Sequence, residues 1–527
     1  MKKAKRIYIL LIVGVMFMIS LFSSCNSKKY NYYDSTKQIN YSSNDVVFLS
    51  GATENDPLKY SADVERYISV KPSERQIAHS KLGYYNFIHF GMNTFTGKEW
   101  GDGTTDPKKF NPTNLDTDQW CDVLSKSGSK GIILTAKHHD GFCLWPSEYT
   151  DYDVSNASIT TDVVGALSKS CEKYGLKFGI YLSPWDRHES TYGTNAYNTF
   201  FKNQLTELLT NYGELFSVWF DGACGENLSP DFKYDWEGYY ELIRKLQPNA
   251  VICVSGPDVR WVGNEAGVAR ESEWSVVGSG ATNPDKVAQI SQTDEKTGKA
   301  LKNIKYDSED LGSRSVLQAY DELTWAPAEV DVSIHDGWFY HKYQKPKSLQ
   351  QLLNIYYKSV GGNSSLLLNV PPNKEGRIAD KDVERLLEFG QAIKDRFSNE
   401  IAYNITVGDS VNQYSYTELD SLKGDNGSYQ SKNNDYIYDL TFSEHKKVHT
   451  IVLSEDISFS QRVESFSVYL KLSDDSYTLV SNSTIIGSKK IICLNPDKLI
   501  NAVGIRIKIN QSRNNPVLSS IKVYGNN

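Results

Sequence analysis

Cysteine is sparse in this 527-residue chain, and none of its seven cysteines stands in a CxxC pair or a close cluster. Neither a metal clip nor a disulfide framework is called for. Beyond Cys25, the others are Cys121, Cys143, Cys171, Cys224, Cys253 and Cys493. Most lie beside apolar runs, so buried free thiols are expected. Long basic runs are missing as well. With 57 Lys and Arg against 64 Asp and Glu, the formal net charge is −7. No cationic stripe is present to meet duplex nucleic acid, and nucleic acid is excluded as a partner. An apolar run of spanning length, about 20 residues, is also lacking.

The nearest approach to such a run is Ile7–Phe22, preceded by Lys2, Lys3, Lys5 and Arg6 and followed by Ser23-Ser24-Cys25. A basic start, a short apolar stretch and small residues at its end read as an export signal. It resembles a bacterial lipoprotein signal, residues 1–25, in which Cys25 is the lipidated residue. An ordinary cleaved signal or an uncleaved anchor is the competing reading. The membrane is then met only through an N-terminal lipid anchor. Cys25 is followed by Asn26-Ser27-Lys28-Lys29 and not by an acidic run. The expectation is an exported, periplasmic or outer-membrane-associated lipoprotein. Residues 26–62, opening on a stretch rich in Ser, Asn and Tyr, read as a tether and N-terminal extension.

Aromatic residues are plentiful, with 34 Tyr, 20 Phe and 10 Trp. Their flat apolar faces and polar tips suit sugar rings, although a large core uses the same residues. From residue 63 to 398 short apolar runs alternate with amphipathic ones. The strand-like runs are Tyr84–Phe90, Gly131–Ala136, Lys177–Leu182, Phe216–Phe220, Val251–Ser255 and Ser365–Val370. The helical patterns are Asp116–Ser127, Thr161–Tyr174, Asn195–Tyr212, Trp236–Leu246 and Leu349–Val360. Such alternation predicts parallel βαβ units, and so many units favour a closed (β/α)8-like TIM barrel over an open sheet. Not all eight repeats are visible. Glu273–Asp331 is long and polar, which points to an insertion or an irregular barrel. From 399 to 527 only short alternating strands occur, the pattern of an all-β sandwich. Its last strands, Asn501–Ile509 and Ser520–Tyr524, resemble the discoidin-type, carbohydrate-binding-like modules often attached to glycosidases, and the module either binds carbohydrate or shields and braces the barrel.

In a β/α barrel the chemistry gathers at the C-terminal ends of the strands. The successive strand ends read Ile88-His89-Phe90-Gly91, Ala136-Lys137-His138-His139-Asp140, Tyr181-Leu182-Ser183-Pro184-Trp185, Val218-Trp219-Phe220-Asp221-Gly222 and Ser255-Gly256-Pro257-Asp258. Five polar or aromatic strand ends together are hard to attribute to packing. Asp221 closes a wholly apolar strand, so its carboxylate suits either the barrel mouth or the N-cap of the next helix. His138 and His139 are adjacent, and adjacent residues of a strand face opposite ways. With no HxH or HExxH present, a hydrogen-bonding clamp on sugar hydroxyls fits these histidines better than a metal site. No metal or cofactor is expected.

Four of these segments resemble the motifs of glycoside hydrolase family 29, the α-L-fucosidases. They are Ile88-His89-Phe90-Gly91, Lys137-His138-His139-Asp140-Gly141-Phe142-Cys143-Leu144-Trp145, Gly179-Ile180-Tyr181-Leu182-Ser183 and Trp219-Phe220-Asp221-Gly222. The resemblance implies a retaining glycosidase acting on a terminal α-L-fucose of a fucosylated glycan. It makes Asp221 the nucleophile. It makes His89, His138, His139, Tyr181 and Trp219 contacts of the sugar, joined by Glu99 and Trp100 of the first loop and by Trp338 near the fucose methyl. Candidates for the acid/base are Glu265, Glu271 and Glu273. Arg260-Trp261-Val262-Gly263-Asn264-Glu265 is similar to the subgroup preferring α-1,3/1,4 linkages, and this selects Glu265. Two rival readings stand beside it. One is a metal-dependent barrel hydrolase using His138, His139 and Asp221. The other is a glycan-binding lipoprotein on an inactive barrel.

Overall fold

The computed structural model describes residues 62–225, 228–290, 310–409, 411–432, 436–494 and 499–526. The predicted signal with Cys25, and all of the tether before residue 62, lie outside the described residues. So does 291–309 of the polar stretch that resisted assignment. No helix of the described residues is long and apolar enough to cross a membrane.

Eight strands build the first core. They are β1 (Tyr84–Ile88), β2 (Gly131–Lys137), β3 (Lys177–Leu182), β4 (Leu215–Phe220), β5 (Val251–Val254), β6 (Arg260–Trp261), β7 (Ala328–Ser333) and β8 (Ser364–Asn369). They pair in the order β5-β4-β3-β2-β1-β8-β7-β6, every pair parallel. A parallel bridge between Cys253 and Val259 brings the two ends of the sheet together. The result is a near-closed β/α barrel. β2 is buried along its whole length. That is why its sequence is a nearly continuous apolar run and does not alternate: one face fills the barrel and the other meets helices.

Helices Thr117–Lys126, Val163–Tyr174, Asn195–Asn211, Trp236–Leu246, Leu349–Ser359 and Asp380–Arg396 accompany the strands. Several start where an acidic or hydroxyl side chain meets the free backbone N–H groups of the first turn. Asp116 accepts from Gln119 N, Asp162 from Gly165 N, Asp235 from Gly238 N and Ser348 from Gln351 N. The barrel is irregular between β5 and β7. β5 passes to β6 through the turn Ser255–Val259 with no helix. The polar stretch after β6 forms an antiparallel ribbon of Val276–Gly278 with Leu323–Trp325 before β7 begins.

One buried ion pair holds the loop after β3. Lys137 Nζ lies 2.8 Å from Asp186 Oδ2, both essentially without solvent contact. Asp186 Oδ1 also accepts from the backbone N–H of His188 and Glu189. Asp186→Ala leaves the Lys137 ammonium buried without its partner. It is expected to cost about 3–5 kcal/mol of stability, measured by denaturant unfolding.

The C-terminal region is antiparallel β-sheet around its own core, which includes Leu440, Ile451, Phe466, Ile505 and Ile521. Its longest strand, Ile437–Glu455, changes partners along its length. The first part pairs with Asn501–Ser512 and the rest with Val517–Asn526 and Lys490–Cys493, with a register break between Thr441 and Lys446. Val452, Ile491 and Tyr524 of this module pack against Tyr356, Tyr357 and Phe397 of the barrel helices. All six described cysteines are free, four of them fully buried.

Candidate active site

A pocket of about 620 Å³, partly open to solvent, sits where the barrel strands end. His89, Glu99, Trp100, His138, His139, Tyr181, Trp219, Asp221, Glu265 and Trp338 all line it. The structure therefore brings together every pocket residue expected from the sequence. Phe87, Val254, Trp261 and Asp331 join them.

Asp221 follows directly on β4, and its side chain is engaged on both oxygens. Oδ2 accepts from the Tyr181 hydroxyl at 2.9 Å, and Oδ1 accepts from Ala223 N at 2.7 Å. His139 Nε2 lies 3.8 Å from Oδ2. The N-cap alternative does not hold, because the next helix starts at Trp236 and is capped by Asp235. Burial, then the Asp221 charge, push the Tyr181 phenol well up, so it remains a donor to that carboxylate.

The two adjacent histidines both reach the pocket because β2 ends at Lys137, so neither is bound by strand alternation. Burial lowers all three pocket histidines, His89 to about 3, His139 to about 4 and His138 well below 6.5. Near neutral pH they are uncharged, with one donor and one acceptor nitrogen each. Their neighbours assign the tautomers. Asn369 donates through Nδ2 to Ser333 and to Trp338 O, so its Oδ1 must accept from His89 Nδ1 at 2.9 Å. Ser183 Oγ donates to Trp185 O, so it must accept from His139 Nδ1 at 2.7 Å. Both rings thus keep Nε2 as an acceptor. His138 Nδ1 faces the Asn93 amide nitrogen at 3.4 Å, an atom that also donates to Glu99 O. Its Nε2 is therefore the donor. Acceptors and a donor side by side are what the hydroxyls of a sugar require.

Glu265 stands on the loop after β6 and keeps some contact with solvent, although protein atoms surround it densely. Burial, followed by the charge of Asp221, raises its carboxyl to about 8, and Trp338 Nε1 donates to its Oε2 at 3.3 Å. The other two glutamates proposed for its role are elsewhere. Glu273 is fully buried against Arg260 and Arg270, and Glu271 is exposed, its backbone carbonyl accepting from Thr484.

The aromatic walls are tied down by acids. Glu329 and Asp331 occupy alternate positions on β7. Glu329 accepts from Trp219 Nε1 and Asp331 from Trp261 Nε1, each at 2.7 Å. Burial raises both carboxyls, Glu329 to about 7 and Asp331 well above the usual aspartate range. Trp219 in turn stacks on Tyr181, with ring centroids 5.3 Å apart. Glu99 accepts from Trp338 N at 2.8 Å and from His341 Nε2 at 2.9 Å, which joins the first loop to the late tryptophan. Among the described residues, the group close enough to share a metal ion is His79, Cys253 and Glu329, not the pocket histidines. Tyr85 already bonds both His79 and Glu329 in that group.

An acid that keeps its proton near neutral pH, sharing a pocket with a carboxylate steadied by donors, is what cleavage of an acetal requires. At the C-terminal end of a β/α barrel this defines a glycosidase. The chain belongs to the alpha-L-fucosidase family, whose model matches residues 79–396. Alpha-L-fucosidase 1 of Arabidopsis thaliana is 37% identical over 479 residues, which cover 86% of this chain and 87% of that protein. A glycoside hydrolase 29 family member from an unknown rumen bacterium has 35% identity and a TM-score of 0.70, covering 86% of this chain and 77% of that one. A Ruminococcus gnavus family 29 fucosidase, solved with fucose, has 28% identity and a TM-score of 0.73, covering 87% and 95%. The protein is accordingly an α-L-fucosidase.

Proposed function

We propose that the enzyme is an exo-acting, retaining α-L-fucosidase that releases terminal α-1,3/1,4-linked L-fucose by double displacement. Asp221 attacks the anomeric carbon while Glu265 gives its proton to the leaving oxygen. The C–O bond to the rest of the glycan breaks, and a glycosyl ester forms on Asp221. Glu265, now ionised, takes a proton from water, which attacks the same carbon and frees Asp221. The observation that carries this reading is the contrast between the two carboxyls. Asp221 accepts two hydrogen bonds on its oxygens, while Glu265 is raised to about 8 beside it. The histidines serve as clamps on the sugar hydroxyls. Trp219 and Trp338 give an apolar wall suited to the methyl at C6, with Glu99 and Trp100 closing the first loop side.

The linkage preference is supported by the Arg260–Glu265 segment, and the sugar by the fucose bound in the Ruminococcus gnavus relative. The barrel is taken as 63–398 and the β-sandwich as a discoidin-like module over 399–527. The chain is exported as a lipoprotein through Cys25. A panel of α-1,2-, 1,3-, 1,4- and 1,6-linked fucosides tests the linkage, and proton NMR of the first product tests the stereochemistry. Fastest release from the 1,3 and 1,4 linkages, with the α-anomer appearing first, is expected. An initial β-anomer would remove the double displacement.

A further inference from the structure

We propose that the β-sheet module positions the loop carrying Glu265, acting through a buried ion triad at the base of that loop. The inference rests on reading Glu265 as the acid/base. The loop leaves β6 after Arg260-Trp261 and returns at Arg270. Glu273 closes it: its Oε1 accepts from Arg260, and its Oε2 accepts from Arg270 N at 2.9 Å and lies 3.4 Å from Arg270 NH1. Arg270 NH1 also donates to Val262 O at 2.9 Å, tying the outgoing segment of the loop to the returning one. Within the loop, Asn264 accepts from Ala266 N at 3.0 Å and donates to Val268 O at 2.8 Å, which shapes the turn around Glu265. A fully buried ion group is weak as a source of stability, because desolvation offsets most of the attraction. Its best-attested use is to hold one arrangement against others.

The far side of this triad is the β-sheet module. Ser275 N donates to Gln461 Oε1 at 2.9 Å, and Thr484 donates to Glu271 O at 3.0 Å. Asn363 of the barrel donates to Glu273 O at 2.7 Å and accepts from Ser488 N at 2.6 Å, bridging triad and module. The Arg513 guanidinium lies 3.8 Å from the Trp274 ring centroid. Residues on both sides of Glu273 are thereby held from outside the barrel, and its own carbonyl by a barrel residue that the module engages in turn. The module reaches the acid/base from behind, with no need to touch the sugar.

The test separates loss of acid assistance from general damage. Protonation of the leaving oxygen matters for a disaccharide, whose leaving alcohol is basic, and little for a 2,4-dinitrophenyl fucoside. Because kcat/KM reports the first irreversible step, the two substrates isolate proton donation by Glu265. Gln461→Leu and Glu273→Gln are expected to lower kcat/KM for a fucosyl disaccharide about tenfold, a part of the 10²–10⁴ that general acid catalysis supplies. The dinitrophenyl substrate should stay within about twofold. Thr484→Val, which removes one hydroxyl, should move the ratio the same way by less and guards against a fold defect in the others. An equal fall with both substrates, or no change in either, overturns the inference. Glu265→Gln is measured alongside. If it fails to separate the two substrates, the acid/base assignment itself is wrong. If it separates them and the three brace variants do not, only the positioning role falls.

Discussion

Asp221→Gly is expected to lower kcat by about 10⁴-fold or more, the scale seen when a residue that bonds covalently to substrate is removed. The variant should still fold. Among the described residues Asp221 forms no ion pair, the neutral His139 ring approaching it to 3.8 Å, and glycine tolerates the backbone leaving β4. Truncation leaves space on the sugar face where the carboxylate stood, walled by Tyr181, His139 and Ala223. A small anion such as azide fits there and needs no general base. Added azide should restore part of the turnover on an activated fucoside and yield the β-L-fucosyl azide, inverted at C1. Asp221→Asn blocks attack without opening that space, so azide should do little for it. Substantial activity in Asp221→Gly without azide would remove the nucleophile assignment.

How much of this was legible depended on whether a residue's environment was local. β1 to β5 and β8 are continuous apolar runs, and the helices between them carry amphipathic patterns, so their places follow from the sequence. β7 does not. Ala-Glu-Val-Asp-Val-Ser places carboxylates at alternate positions, which reads as a polar segment, and its polar face turns inward to meet the indoles of Trp219 and Trp261. Those partners are remote in the chain, so no local pattern announces them. Asp331 and Trp261 were missed as pocket residues for that reason, although alternation with Val330 and Val332 carried a strand signal. β6 spans only Arg260–Trp261, too short for any periodicity. Strand alternation argues against one metal ion shared by adjacent His138 and His139, and β2 ends at Lys137, so both rings line the pocket. The choice among Glu265, Glu271 and Glu273 followed a resemblance. In the fold it turns on which side chain the loop presents to the pocket and which ones the two arginines and solvent take.

As the proposed acid, Glu265 is expected to set the alkaline side of the pH profile. Its carboxyl is raised from 4.5 to about 8, first by burial and then by the neighbouring Asp221 charge. The reacting form is the protonated one, so kcat/KM should hold level through neutral pH. It should then fall about tenfold per unit above roughly pH 8, as the acid form is depleted. Glu265→Gln should remove that limb and lower kcat/KM on a disaccharide by about 10²–10⁴-fold. Stability moves with the opposite demand. The folded chain holds this proton between about 4.5 and about 8 while the unfolded chain releases it, so the native state loses stability as pH rises through that window. The glutamine variant should therefore show a flatter unfolding midpoint between about pH 5 and pH 8. In the proposed double displacement, the same coupling would let one residue serve both steps. Once Asp221 is esterified its charge is gone, one cause of the raised carboxyl vanishes, and Glu265 can ionise and act as base. Trapping the ester with a 2-fluoro fucoside should thus shift the Glu265 titration, followed by ¹³C NMR of labelled glutamate, to lower pH. An unchanged titration in the trapped enzyme would mean that burial alone holds the proton and that Asp221 does not govern it.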